Sequence, residues 1–183
     1  NASRQLIQTR SSNGTYVNYT YEGNQVKTTE EFASDGFLLK TRRYHFEGNK
    51  LLKVTESNHY SKKDSEIRYY YGTWGNLTEV RTYAKNPETQ AFDSYNAVRY
   101  LNYDYQKNSE NLWTVYPYLP NVQFAQNNVQ EVAFFYFDGK VEKEVSTRKK
   151  YAYQYTSEGY PARRIETGAS GLSLTADYSY TGL

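Results

Sequence analysis

The chain has 183 residues, of which 22 are Lys or Arg and 20 are Asp or Glu, for a formal net charge of +2; no broad field directs it to nucleic acid or an anionic bilayer. It has no cysteine, which excludes disulfides, thiolate catalysis and cysteine-based metal sites. Leu, Ile, Val and Phe make up only roughly a fifth of it, a level that borders on disorder when net charge is high, but 22 tyrosines supply rings that can be half buried while their hydroxyls stay wet.

The length suits a single domain over 1–183. Asn1 in place of Met predicts a processed chain whose leader or lipid anchor lies outside this numbering. No stretch reaches the roughly 18 apolar residues of a membrane helix.

From the N-terminus, three units set the pattern. Tyr19-Thr20-Tyr21 precedes Glu22-Gly23-Asn24, Tyr44-His45-Phe46 precedes Glu47-Gly48-Asn49, and Tyr69-Tyr70-Tyr71 precedes Gly72-Thr73-Trp74-Gly75-Asn76. They begin about 25 residues apart, a repeat-like period. Two aromatics at i and i+2 share one face of a strand, and Gly-Asn supplies the positive φ of a tight hairpin turn. A strand-length segment follows each turn, so each unit reads as strand, turn, strand. Asn86-Pro87-Glu88 could open a short helical turn, since Pro fits the first helical position. Looser copies of the unit follow at Tyr103-Asp104-Tyr105, Phe135-Tyr136-Phe137-Asp138-Gly139, Tyr153-Gln154-Tyr155 with Gly159-Tyr160-Pro161, and Tyr178-Ser179-Tyr180. Between the first two of these, a polar stretch and Pro117 and Pro120 argue against a central strand and predict one long loop near 106–130. The expected fold is all-β: an antiparallel meander of about 10–14 strands, curled into an open or half barrel.

Tyr-x-Tyr, a short polar link, then Gly-Asn-Leu or Gly-Tyr-Pro resembles the YD repeat. The chain as a whole resembles the Tyr-rich secreted lipoprotein domains of Bacteroides-type bacteria, a family of unknown function with a porin-like fold; Tyr153 to Pro161 is the segment most like it. The resemblance implies a cell-envelope location, anchored by lipid to the outer membrane. Its motifs mark hairpin geometry and carry no chemistry, so no functional residue transfers.

Candidate chemistry is sparse. His45 alternates with Tyr44 and Phe46 and is expected to point away from their face; His59 falls in an expected turn, Asn58 to Ser61. Glu30 and Glu31 are adjacent and diverge on a strand, and Glu142 and Glu144 alternate with Lys143, as on a solvated face with cross-strand ion pairs. A glycoside hydrolase would need two carboxyls facing each other at roughly 5–10 Å. Gly168-Ala169-Ser170-Gly171 lacks the spacing of a nucleophile elbow. The basic clusters Arg42-Arg43, Lys62-Lys63, Arg148-Lys149-Lys150 and Arg163-Arg164 are scattered and interleaved with acids, which does not describe a nucleic-acid surface. No metal or cofactor site is predicted.

The aromatics remain. Trp74, Trp113, Tyr116 and Tyr118 lie in turn or loop contexts and are the expected ligand-binding residues, suited to stack on sugar rings or pack a lipid tail. The expected function is therefore a noncatalytic envelope binding or structural module with a glycan, lipid or envelope-protein partner, and a membrane link only through a lipid anchor. A glycoside hydrolase-like enzyme and an assembly protein pairing through sheet edges are the alternatives.

Overall fold

Alternating aromatic and polar residues, punctuated by glycine, produce strands throughout. The structure is a computed structural model that describes residues 5–108 and 125–180. Its strands are β1 (Gln8–Arg10), β2 (Tyr16–Glu22), β3 (Gln25–Phe32), β4 (Leu38–Glu47), β5 (Lys50–Asn58), β6 (Lys63–Tyr71), β7 (Leu77–Lys85), β8 (Phe92–Lys107), β9 (Asn127–Asp138), β10 (Val141–Glu144), β11 (Lys149–Tyr155), β12 (Pro161–Thr167) and β13 (Ser173–Asp177). All thirteen belong to one antiparallel sheet, hydrogen-bonded in chain order except that β9 is bordered by both β10 and β11. The sheet is open, with β1 and β13 at the two ends of the order. No helix occurs among the described residues. At Asn86 the expected helical turn is a single loop: Asn86 Oδ1 accepts the Glu88 and Thr89 N–H groups at 2.9 and 3.2 Å, and Gln90 at φ 60° stops any continuation. β8 ends at Lys107 and β9 starts at Asn127, and most of the stretch expected as a loop near 106–130 lies outside the described residues.

The chain forms two compact units, Asn1–Arg68 with Thr82–Ser94, and Tyr69–Arg81 with Tyr95–Leu183. In the first, the repeat has a consistent physical form. Tyr21 pairs with Val26 and Phe46 with Leu51, each just after a register shift. The extra residue keeps Val26 and Thr29, and likewise Leu51 and Val54, all buried although they stand three apart; a β-bulge does this by resetting the alternation. Tyr hydroxyls then find local partners: Tyr21 donates to the Leu6 carbonyl at 2.8 Å, and the Tyr44 hydroxyl lies 3.4 Å from Thr29 Oγ1. Burial pushes the Tyr44 phenol above its ordinary pKa. The opposite side of the strands is polar and ion-paired: buried Glu66 contacts Arg68 and Lys53, and Arg68 sits over the Tyr83 ring at 4.4 Å. His45 and His59 are both exposed.

In the second unit the same device recurs, with a register shift before Tyr155↔Pro161. The core is Leu77, Ala97, Ala125, Val129, Val132 and Ala133. Tyrosines again close carbonyls of buried post-turn residues: Tyr103 donates to Leu77 O at 2.5 Å, Tyr153 to Val129 O at 3.1 Å and Tyr180 to Pro161 O at 2.7 Å. A tyrosine thus both fills the thin core and satisfies a backbone acceptor, which phenylalanine cannot do.

Candidate functional site

The second unit gathers three chain connections at one end of its strands: the Gly72–Asn76 turn, the two feet of the 109–124 segment, and the Thr156–Tyr160 turn. Asn76, only 8% exposed, joins the first two. Its Oδ1 accepts the Gln126 and Asn127 N–H groups at 2.9 and 3.0 Å, and its Nδ2 donates to Asn127 Oδ1 at 3.0 Å. Asn127 Nδ2 in turn donates to Gln106 O at 3.0 Å, tying one foot to the other. Asn108 completes the neck, its N–H donating to Gln126 O and its Nδ2 to Ala125 O, each at 3.0 Å.

Asp104 ties in the third connection. The Gln106 and Asn128 N–H groups donate to its Oδ1 at 3.0 and 3.1 Å, and the Tyr155 hydroxyl donates to Oδ2. Burial, then the bond to Asp104 and its charge, hold the Tyr155 phenol well above the ordinary tyrosine range. Lys107 Nζ lies over the Tyr160 ring, 5.0 Å from its centre. Two glycines here adopt a positive φ, and that backbone conformation is what favours glycine at each. Gly75, at φ 75°, would bring a Cβ to 3.0 Å from Gln126 Nε2, and Gly159, at φ 81°, would bring one to 3.0 Å from Gln106 Oε1.

Two large rings stand out from this framework. Trp74 is 81% exposed and Tyr105 97%. Tyr105 departs from the expected aromatic pair: a register shift between Tyr103 and Lys107 turns Asp104 inward to its partners and leaves Tyr105 in solvent. Trp113, Tyr116 and Tyr118, the other expected ligand-binding residues, lie outside the described residues.

Trp74 is anomalous among its equivalents. Five turns share one hydrogen-bond pattern, in which the first residue's N–H bonds to the fifth residue's carbonyl and a glycine N–H at the fourth position bonds back to the first: Ser11–Thr15, Ala33–Phe37, Gly72–Asn76, Thr156–Tyr160 and Gly168–Leu172. Their third residues are Asn13, Asp35, Trp74, Glu158 and Ser170. Asn13, Asp35 and Ser170 accept the N–H of the fifth residue, at 3.1, 3.0 and 3.4 Å. In the fourth polar turn Glu158 does not, and the Tyr160 N–H bonds to Thr156 Oγ1 at 3.3 Å instead; indole has no acceptor, so Trp74 cannot make the bond at all. The recurring x-x-polar-Gly signature was legible in the sequence, and the one apolar exception to it would have singled out Trp74. Tyr105 was signalled only by the missing glycine after it.

Two half-buried carboxylates of this unit are bound to cations. Glu79 and Glu142 form a closed ring with Arg81 and Arg99, with N–O distances of 2.7, 2.8, 2.8 and 3.3 Å. Arg99 and Arg81 also cover the Phe135 and Phe137 rings at 4.2 and 5.1 Å. Burial alone would raise the Glu79 carboxyl, but the bonds and charges of both arginines hold it below its ordinary value. A general acid needs the opposite shift. No group of three or more His, Asp or Glu side chains suited to a metal occurs among the described residues.

Two solved structures share this architecture. A porin-like protein from Bacteroides vulgatus aligns with a TM-score of 0.58 at 14% identity, over 96% of this chain and 83% of that one. A porin-like protein from Bacteroides uniformis aligns with a TM-score of 0.55 at 13% identity, over 91% of this chain and 68% of that one. At such identity the likeness is one of fold, and it defines the class: an all-β antiparallel meander of the kind seen in these Bacteroides proteins. No family model matches the sequence, and no curated protein is significantly similar to it.

Proposed function

We propose that this chain is a noncatalytic cell-envelope module that binds a glycan through Trp74 and Tyr105. The observation that carries this reading is Trp74: an exposed indole at a turn position where three of the four equivalent turns place a side chain that caps the backbone. A residue that gives up local stability while standing in solvent is the signature of a binding group. The rigid neck of Asn76, Asn127, Asn128 and Asp104 gives that group a fixed base. Flat rings offer their faces to the C–H side of a sugar, and the side-chain amides of Gln106 and Gln126 suit hydroxyl partners. Trp113, Tyr116 and Tyr118 belong to the same proposed aromatic set.

An envelope location is supported by the porin-like Bacteroides fold; the outer membrane and a lipid anchor belong to the same proposed reading. A transmembrane pore needs a closed barrel with a lipid-facing apolar band, whereas this sheet is open and carries charged pairs such as Glu66–Arg68 and Arg42–Glu56 along its strands.

The test is calorimetric titration of the protein with neutral and acidic polysaccharides and with detergent-dispersed lipid. At least one polysaccharide is expected to bind, and Trp74→Ala and Tyr105→Ala are each expected to weaken it about tenfold or more. Trp74→Asn separates the two sides of the argument: it is expected to lose binding while raising stability by about 0.5 kcal/mol through the restored turn bond. Lipid binding alone, no ligand in any class, or equal binding by the two alanine variants and wild type would refute the reading.

A further inference from the structure

Among the described residues the last strand of the sheet, β13, is paired on one side only. Among the described residues β13 pairs only with β12, in the register Arg163↔Asp177 to Thr167↔Ser173. Tyr178 N bonds to Ala162 O at 3.0 Å and Gly168 N to Leu172 O at 3.3 Å. In an antiparallel pair, hydrogen-bonded positions alternate, so Leu174 and Ala176 turn their N–H and C=O toward β12, while Ser173, Thr175 and Asp177 turn theirs outward. Native edges are usually blunted by Pro, Lys, a bulge or extreme shortness. β13 has no Pro, Lys or Arg, and no register shift interrupts its pairing with β12, although β2–β3, β3–β4, β4–β5 and β11–β12 each carry one. Leu172 and Leu174 are 77% and 70% exposed. The opposite edge, β1, is only three residues long, and its Arg10 is drawn over the Tyr16 ring at 4.8 Å.

We infer that β13 is a self-complementary edge through which two copies of this chain pair antiparallel about a two-fold axis at Thr175. In that register Thr175 faces Thr175 of the second copy and Ser173 faces Asp177, and each such pair can exchange two backbone hydrogen bonds. The intervening positions put Leu174 opposite Ala176 and Leu172 opposite Tyr178, covering both exposed leucines with apolar partners. The only charge on the strand, Asp177, is already held by Arg163 Nε at 2.5 Å and meets a serine hydroxyl, so no like charges oppose one another. The occupant is a second copy because the strand's own pattern is its complement.

The 183-residue chain is examined by size-exclusion chromatography with light scattering over a range of concentrations. The mass is expected to rise with concentration toward twice 21.4 kDa. Thr175→Pro removes an outward N–H and leaves the β12 ladder intact, so it is expected to stay monomeric with an unchanged circular dichroism spectrum. The chain has no cysteine of its own; Thr175→Cys is therefore expected to give a covalent dimer on oxidation, and Tyr60→Cys, at a site 80% exposed elsewhere, is not. A wild type that is monomeric at every concentration, a dimer that survives Thr175→Pro, or a Thr175→Cys chain that fails to cross-link overturns the inference.

Discussion

The β4–β5 hairpin and the β8–β9 connection solve the same problem with different chemistry. In β4–β5, Gly48 at φ 55° turns the chain in two residues, and a bulge brings Leu51 and Val54 into the core behind Tyr44 and Phe46. Rings and backbone suffice there. At β8–β9 the facing ends are Lys107 and Asn127, and side-chain amides and one carboxylate hold them: Asn76, Asn108, Asn127, Asn128 and Asp104. The difference teaches that the repeat is a packing device wherever a tight turn closes it. Where no tight turn closes the strands, side-chain hydrogen bonds fix the strand ends.

The largest expected effect falls on the packed hairpin. Leu51 is 0% exposed, so Leu51→Ala removes a fully buried side chain and should cost about 2–5 kcal/mol in urea unfolding. A cost below about 1 kcal/mol would mean that the rings alone hold these hairpins. At the neck, Asn76→Ala leaves the Gln126 and Asn127 N–H groups without their acceptor and should cost about 2 kcal/mol. Asn76→Asp keeps the acceptor and should recover part of that loss; if both variants match wild type, amides do not hold the loop feet.

The tyrosines that line both regions predict a base-driven collapse. Burial pushes the Tyr100 phenol up to about 12, and Tyr103 and Tyr71 are raised by burial as well. A phenol whose folded pKa lies above its ordinary 10.0 favours the folded state fully below pH 10. That preference is lost as pH rises from about 10 toward 12, at up to about 1.4 kcal/mol per pH unit for each such group. Alkaline unfolding followed by circular dichroism should be cooperative and start above pH 10, and Tyr100→Phe should flatten its onset. The smallest effect is at a single hydroxyl: Tyr103→Phe keeps the ring and deletes the bond to Leu77 O, at a cost of about 1 kcal/mol. No loss at all would reduce these tyrosines to ring packing.

Much of this was legible in the residues and some was not. Tyr44-x-Phe46-x-Gly48 and Tyr153-x-Tyr155 through Gly159 announced their strands and turns because the information is local: period-two alternation followed by a residue that tolerates positive φ. Asn86-Pro87 invited a helix and made a loop, since Gln90 takes a left-handed conformation and no apolar helical face follows it. Tyr105 read as a partner of Tyr103, but the shift that expels it depends on where β9 begins, about twenty residues away along the chain. Trp74 was a candidate from its turn context alone; its exposure and its exceptional place among five like turns are properties of the folded molecule.

By itself the sequence determined the all-β class, the hairpin spacing and the reliance on tyrosine, because strand periodicity and glycine turns act over a few residues. The tertiary structure decided which rings are covered and which stand free, that Asn76 and Asp104 join chain segments remote in sequence, and that β13 is paired on one side only among the described residues. Those outcomes come from long-range pairing and register, which no local pattern encodes.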